Sequence, residues 1–153
     1  MSIDAVDPLS FDDANIDHTS GAIYFEWQPT VAASEVSGDL ELLSLNAGAD
    51  LAYYDGTNSQ VESADGTNTG VKSLTIVKDT TYEVGVIWDA TAGNMRVNVD
   101  GTWGTEVSFD GTYTVGTVLE LFNDFGYVNK MRTLKGYSGS YSALQSQIES
   151  LMP

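Results

Sequence analysis

Apolar and polar residues alternate along most of this chain with a period of two, which is typical of strands that bury one face. The clearest run covers residues 82–89, in which every second side chain is large and apolar. A second alternating run, 95–99, follows the Gly- and Asn-containing turn 91–94. Two such runs joined by a short turn predict an antiparallel hairpin. Further strands are predicted at 23–28, 40–45, 73–77, 118–122 and 131–137.

The tripeptide Asp-Gly-Thr recurs between these runs, beginning at Asp55, Asp65, Asp100 and Asp110. Asp-Gly suits tight hairpin turns, because glycine accepts a positive φ and aspartate bonds to nearby backbone groups. Alternating strands separated by frequent turns are typical of a sandwich of two sheets. The sequence therefore predicts an all-β fold, an antiparallel β-sandwich.

Only the C-terminal end departs from the period of two. Apolar residues at positions 137, 141, 144, 148 and 151 recur every three or four residues, which predicts a short amphipathic helix packed on the sandwich. Ser142 and Gln145 fit a capping box at the start of this helix. An oligomerisation seam is the alternative, but its pattern is shorter than a coiled coil requires.

The chain has 153 residues, of which 42% are hydrophobic, and this is sufficient for one domain with a core. We divide it into an acidic N-terminal segment, residues 1–20, and a single β-sandwich domain, residues 21–153. The segment has too few apolar residues to become ordered alone, so we expect a docking arm or an edge strand. No apolar run approaches a membrane span or resembles a signal peptide, so we expect no membrane insertion.

Charge narrows the classes of partner. The chain carries 22 acidic and 6 basic residues, a net charge of −16, which repels nucleic acid and anionic membranes. It has no cysteine, which excludes disulfides and thiol chemistry. Nine Asp and four Glu precede Lys72, the first basic residue. This acidic part is either a solvated surface or a face that docks on a basic partner.

Five of these acids lie in the N-terminal segment. The predicted sandwich gives them no structural role, unlike the aspartates of the Asp-Gly turns. We therefore expect them to dock on a partner; they are Asp4, Asp7, Asp12, Asp13 and Asp17.

Several of the predicted strands resemble those of laminin-G-like jelly rolls, within the concanavalin A-like lectin and glucanase superfamily. The similar segments are 9–12, 21–29, 42–45, 82–89, 95–101 and 134–151. The closest match is the pair 82–89 and 95–101, which is similar to the paired central strands of that family. The resemblance implies a concanavalin A-like jelly roll that ends in a short helix.

Catalysis is not expected. Glucanases of this superfamily carry the pattern Glu-x-Asp-x-x-Glu on one strand, and it is absent here. Glycosidases need two carboxyl groups about 5–9.5 Å apart, and lyases on this fold use Tyr, His and Arg together. The only histidine, His18, lies in the acidic segment. Nucleophile-elbow, phosphate-loop and paired-histidine motifs are also absent.

The resemblance to lectins implies sugar binding by aromatic residues near loop ends. Trp103 follows the turn at Asp100, and we expect it to be the most exposed of the three tryptophans. Trp27 and Trp88 share strand faces with core residues, so we expect both in the core. Four tyrosines also lie near loop ends and are further candidates: Tyr53, Tyr54, Tyr113 and Tyr127.

Laminin-G-like domains often hold one calcium ion at the sandwich rim, so the resemblance implies a calcium site and no other cofactor. Calcium prefers six to eight oxygen ligands, which loop aspartates can supply. The candidates are Asp50, Asp100 and Asp124, with Asp55, Asp65 and Asp110 also available. A simple turn role is the alternative for the Asp-Gly residues.

These features together predict a non-enzymatic bacteriophage virion protein of the capsid-decoration, knob or fibre-head type. We expect it to dock on a capsid or other virion protein, to meet host-surface glycans, and to form a trimer on local symmetry axes. Without a signal peptide, we expect it to be made in the host cytoplasm and located in the virion, or otherwise extracellular. The alternative is a stand-alone carbohydrate-binding module without a virion role.

Overall fold

The alternating runs form two antiparallel sheets in the computed structural model of the chain, which describes residues 9–12, 16–45, 50–111, 118–121 and 129–152. In chain order the elements are β1 (Leu9–Asp12), β2 (Ser20–Pro29), a 3₁₀ turn (Ala33–Glu35), β3 (Asp39–Leu45), β4 (Asp50–Asp55), β5 (Gln60–Ala64), β6 (Thr69–Ser73), β7 (Tyr82–Asp89), β8 (Asn94–Val99), β9 (Thr102–Trp103), β10 (Val107–Ser108), β11 (Val118–Leu121), β12 (Asn129–Ser138) and helix α1 (Tyr141–Leu151).

The two sheets pack face to face as a sandwich. Sheet A has the strand order β1-β11-β3-β4-β5-β6, and sheet B has the order β10-β8-β7-β2-β12, with β9 also paired to β8. Strands β5 and β6 of sheet A contact β8 of sheet B. The predicted fold class, an all-β antiparallel sandwich with a short C-terminal helix, is confirmed.

The core between the sheets is built from alternate residues of the central strands. Trp27 and Trp88 are both 0% exposed, which confirms their predicted core position. The indole Nε1 of Trp27 donates to Oδ1 of Asn129 at 2.9 Å, and that of Trp88 donates to the carbonyl oxygen of Asp17 at 2.9 Å. Both polar atoms of these large rings are therefore satisfied, as buried indoles require.

The predicted hairpin is formed by β7 and β8. The register pairs Val84 with Val99 and Trp88 with Met95, so the apolar residues of both strands face sheet A. Helix α1 covers the opposite face of sheet B and buries Ile87 in a second cluster with Leu144 and Ile148. The helix therefore packs on the sandwich, as its amphipathic pattern predicts.

The predicted start of this helix is wrong by two residues. The N-cap is Ser140 rather than Ser142, and the Ser140 side chain makes no capping hydrogen bond. Instead, the backbone N–H of Tyr141 donates to Oδ2 of Asp89 at 2.9 Å. A carboxylate from the end of β7 thus satisfies one of the free N–H groups of the first helical turn.

The strand predicted at residues 73–77 is also wrong. Strand β6 ends at Ser73, and the alternation continues in an irregular segment. The N–H of Leu74 donates to the carbonyl of Ser59, and the carbonyl of Ile76 accepts from Ala33. Because these backbone groups pair with loops, no ladder forms, although Ile76 is buried.

The Asp-Gly turns are confirmed where the structure describes both flanking strands. Asp55 joins β4 to β5, Asp65 joins β5 to β6, and Asp100 joins β8 to β9. Oδ1 of Asp65 accepts from the N–H groups of Thr67 at 2.9 Å and Asn68 at 2.6 Å, and Asp55 makes the same pattern. Asp110 follows β10, and residues 112–117, which come next, lie outside the described part.

We expect Asp65 to make stability depend on acidity. Burial alone would raise the pKa of its carboxyl, but hydrogen bonds from Asn68, Asp110 and Thr67 hold the pKa below its ordinary value. A depressed folded pKa adds stability above the unfolded pKa of about 3.9, and this stability is lost as pH falls through the folded value. Urea unfolding should show that the free energy of unfolding falls between neutral pH and about pH 3, and that it falls less in Asp65→Asn than in the unsubstituted chain.

Asp100→Asn is the control for this experiment, because the Asp100 carboxylate accepts one described hydrogen bond at an exposed turn. Its loss of stability at low pH should exceed that of Asp65→Asn, which removes a carboxylate that accepts from three backbone N–H groups. If both variants lose equally little stability between neutral pH and about pH 3, groups other than Asp65 cause the pH dependence.

Candidate functional site

An open groove of about 330 Å³ lies between β6 and the segment that follows β9. Val71, Lys72 and Ser73 line one side, and Trp103, Gly104 and Thr105 line the other. The turn at Asp100 and Gly101 reverses the chain after β8, so that Trp103 pairs with Asn98 on the neighbouring strand. The groove therefore joins an edge strand of sheet A to an edge of sheet B.

Gly104 brings the two sides of the groove together. Its N–H donates to the carbonyl of Val97 at 2.7 Å, while the next N–H, from Thr105, donates to the carbonyl of Val71 at 3.0 Å. A Cβ atom on Gly104 would lie 2.0 Å from that Val71 oxygen. Only glycine fits this close approach of two backbones.

Trp103 is held in a fixed position beside the groove. The guanidinium carbon of Arg96 lies 5.4 Å from the centre of its ring, and Nε of Arg96 donates to the carbonyl of Gly104 at 2.8 Å. The indole Nε1 donates to Oε1 of Glu149, on helix α1, at 2.8 Å. A cation over the ring and a carboxylate at its edge suit the charge distribution of an indole.

The carboxylate of Glu149 serves two donors. Hydrogen bonds from Gln145 and from Trp103 hold the pKa of Glu149 below its ordinary value. Glu149 is therefore ionised at neutral pH, and its contact with the indole ties helix α1 to the rim of the groove. The ring is half-buried, and one part of it lines the groove.

The groove presents a cation, hydroxyl groups and an aromatic ring. Its lining contains one ammonium group, on Lys72, and two hydroxyl groups, on Ser73 and Thr105, besides the indole. None of the six lining residues is a carboxylic acid or a histidine. The arrangement thus lacks the carboxyl pair that glycoside hydrolysis uses, and it can hold a polar ligand against an aromatic ring.

The other predicted aromatic residues do not join Trp103. Tyr54 is 0% exposed and its ring lies 5.7 Å from that of Trp27 in the core, so the prediction that Tyr54 contacts a ligand is wrong. Tyr53 is half-buried on the outer side of sheet A, where its hydroxyl donates to Glu62. Tyr113 and Tyr127 lie outside the described residues.

The predicted docking aspartates are only partly described. Asp12 ends β1, an edge strand of sheet A, where it pairs with Val118. Asp17 has the structural role that the sequence did not reveal: its Oδ1 accepts from the N–H of Thr19 at 2.9 Å and of Ser20 at 3.2 Å. The Thr19 hydrogen bonds lower the pKa of Asp17. Asp4, Asp7 and Asp13 lie outside the described residues.

The described carboxylates do not assemble the predicted calcium site. Within the described ranges, no group of three or more His, Asp or Glu residues is placed to hold a metal ion. Asp100 is exposed and its Oδ1 accepts the N–H of Glu83. Asp50, the first residue of β4, pairs with Ser44 of β3. Asp124 lies outside the described part, so calcium stays a prediction.

Sequence reasoning found Trp103 but missed the residues around it. Lys72 and Thr105 are 33 positions apart in the chain and meet only because β6 packs beside the segment after β9. Arg96 and Glu149, which position the ring, are also far apart, 53 positions from one another in the sequence. The one local signal is the pair of glycines, Gly101 and Gly104, on either side of Trp103.

The fold is an antiparallel jelly-roll β-sandwich. Neither a family model nor the sequence of a curated protein matches this chain. Solved structures do match its fold. Domain 4 of AbnA, an extracellular arabinanase from Geobacillus stearothermophilus, was solved with arabinotriose; it has a TM-score of 0.71 at 12% identity, over 99% of this chain and 75% of that one.

Two further structures share the sandwich. The CBM40 domain of the Ruminococcus gnavus IT-sialidase, bound to α2,3 sialyllactose, has a TM-score of 0.68 at 11% identity over 100% of this chain and 96% of that one. The binding domain of botulinum neurotoxin DC, in complex with rat synaptotagmin II, has a TM-score of 0.62 at 11% identity. The match covers 91% of this chain and 37% of the toxin domain. This chain therefore spans well under half the length of that domain.

These likenesses establish the fold alone, because sequence identities this low do not carry function. Helix α1 is 11 residues long, and no helix in the described part of the chain is long and apolar enough to cross a membrane.

Proposed function

We propose that the chain is a non-catalytic carbohydrate-binding domain whose site is the groove beside Trp103. The observation that carries this proposal is the geometry of that ring: it is fixed by Arg96 and Glu149 and borders a groove lined by hydroxyl groups. Two proteins of the same fold were solved with oligosaccharides bound, which supports the proposal.

In this proposal the sugar lies along the part of the indole that borders the groove. The apolar face of a pyranose packs on the ring, while its hydroxyl groups meet Ser73 and Thr105. A rigid aromatic ring loses little conformational entropy on binding, because its position is already set in the free protein. In this proposal the site binds without turnover, which is supported by a lining that contains no carboxylic acid and no histidine.

Trp103→Ala is expected to lower affinity for a bound oligosaccharide about thirtyfold, since a buried tryptophan anchor contributes about 2 kcal/mol or more. The measurement is a glycan array with the unsubstituted chain, followed by calorimetric titration of the best ligand. Tyr141→Ala is the matched control, because Tyr141 is also half-buried against the helix α1 cluster but does not line the groove. The affinity of Tyr141→Ala for the same oligosaccharide should stay within about threefold of that of the unsubstituted chain. The proposal fails if no glycan binds, or if both variants bind equally well.

The second candidate is the bacteriophage virion surface role. Its support is the acidic N-terminal region and the position of β1 at one edge of sheet A, where an added strand from a capsid protein could pair. In this role the domain docks on the particle, as a trimer on a symmetry axis, and presents the groove to host glycans. Mass spectrometry of purified particles tests it: absence of the chain from particles that contain their other structural proteins rejects the virion role.

A further inference from the structure

We propose that the groove selects carbohydrates that carry a carboxylate, and that the ammonium group of Lys72 forms an ion pair with it. This inference rests on the proposed function and names the chemical class of the ligand. The observation behind it is a local reversal of charge. Acidic residues outnumber basic ones by 22 to 6 in the chain, yet the six lining residues include one base and no acid.

The two basic side chains near the groove have different roles. Arg96 is committed to the fold, since its guanidinium lies over the ring of Trp103 and its Nε donates to the carbonyl of Gly104. Lys72 lies on β6, at the edge of sheet A, and is half-buried. Within the described part of the chain, no carboxylate forms an ion pair with its ammonium group.

The nearby acids on the other side of Trp103 already have donors. Glu149 accepts from the indole of Trp103 and from Gln145, and Glu106 accepts from the hydroxyl of Tyr141 at 2.8 Å. These contacts hold both carboxylates toward helix α1. The cation left for a ligand is therefore Lys72.

A lysine on an edge strand has an ordinary explanation, which is protection of the edge against pairing with other chains. Lys72 differs from a purely protective lysine because it lines a groove together with an indole and two hydroxyl groups. A sugar stacked on the indole would place its substituents beside β6. A carboxylate there gains a charge-assisted hydrogen bond, about twice as strong as a neutral one.

The net charge of −16 does not oppose this selection at close range. At physiological ionic strength, charges more than about 8 Å away are largely screened. A carboxylate in the groove therefore interacts mainly with Lys72. The distant acids slow the approach of an acidic ligand more than they weaken the bound state.

The experiment compares oligosaccharides that end in galacturonic, glucuronic or sialic acid with their methyl esters, which keep the shape and remove the charge. Calorimetric titration should give the unsubstituted chain a roughly three- to tenfold preference for the acid over its ester. This preference should decrease between about 0.05 M and about 0.5 M salt. Lys72→Gln should remove the preference, so that this variant binds the acid and its ester with the same affinity.

Lys78→Gln is the matched control, because Lys78 is an exposed lysine in a turn away from the groove and the net charge changes equally. It should keep the preference. The inference is overturned if the unsubstituted chain binds acid and ester equally, or if Lys72→Gln retains the preference. In either case binding of the ester leaves the proposed function standing. If neither form nor any neutral sugar binds, the proposed function itself fails.

Discussion

Asp89→Ala is expected to lower the free energy of unfolding by about 3 kcal/mol and to loosen the first turn of helix α1. The Asp89 side chain is 5% exposed and joins three backbone groups. Its Oδ1 accepts from Thr91 at 2.8 Å and Ala92 at 3.2 Å in the hairpin turn, and its Oδ2 accepts from Tyr141 at 2.9 Å. Alanine would leave all three N–H groups without their acceptor.

The estimate follows from two contributions. Loss of a helix N-cap costs about 0.5–2 kcal/mol, and each hydrogen bond to a charged group contributes about 1.5–3 kcal/mol. Water can reach part of the exposed turn, so the contributions do not add fully. Urea unfolding followed by tryptophan fluorescence measures the loss, and amide hydrogen exchange at the start of helix α1 locates it.

Ser142→Ala is the control that separates this tertiary cap from the local one predicted by the sequence. Ser142 is exposed and lies inside the helix, so its substitution should change stability by less than about 0.5 kcal/mol. Asp89→Asn should be intermediate, because an amide offers one acceptor where the carboxylate has two. If Ser142→Ala lowers the free energy of unfolding as much as Asp89→Ala does, the capping box predicted from the sequence is supported instead.

Alternation predicted several of the strands that pack one face on the opposite sheet, but it did not predict β4 and β5, although both bury side chains in the core. The run at residues 82–89 coincides with β7, because Val84, Val86 and Trp88 all face the core. The same alternation failed at residues 73–77. A period of two reports which side chains are buried, but a strand also needs a backbone partner, and here the backbone of Leu74 pairs with a loop.

Contacts between distant segments explain the other errors. The capping box failed because the acceptor at the helix start is Asp89, which is 52 residues away. Tyr54 seemed to be a loop-end residue, but β4 extends to Asp55 and turns the Tyr54 ring into the core. Ile87 lies on the face of β7 that alternation assigns to solvent, and helix α1 buries it.

The candidate site could be predicted only at Trp103, because the Asp100 turn beside it is a local signal. Lys72 belongs to the site through the position of β6 next to the segment after β9. No periodicity in a single sequence specifies which edges of two sheets meet. The groove depends on Gly104, because only glycine at this position lets the two edges approach each other.

Gly104→Ala is expected to open this contact and to abolish carbohydrate binding, with a loss of stability of about 1–3 kcal/mol. The added Cβ would lie 2.0 Å from the carbonyl oxygen of Val71, which is backbone and cannot rotate away. The segment must therefore move away from β6. That movement breaks the hydrogen bond from Thr105 to Val71 and displaces the carbonyl that accepts from Arg96.

The matched control is Gly136→Ala on the exposed part of β12, where no atom lies within 4 Å of the added Cβ. Both variants carry the same entropic effect of replacing glycine in the unfolded chain, so the difference between them isolates the clash at the groove. Urea unfolding and titration with an oligosaccharide should leave Gly136→Ala close to the unsubstituted chain. If Gly104→Ala binds sugar normally and is destabilised only slightly, the contact between β6 and the Trp103 segment does not form the binding site.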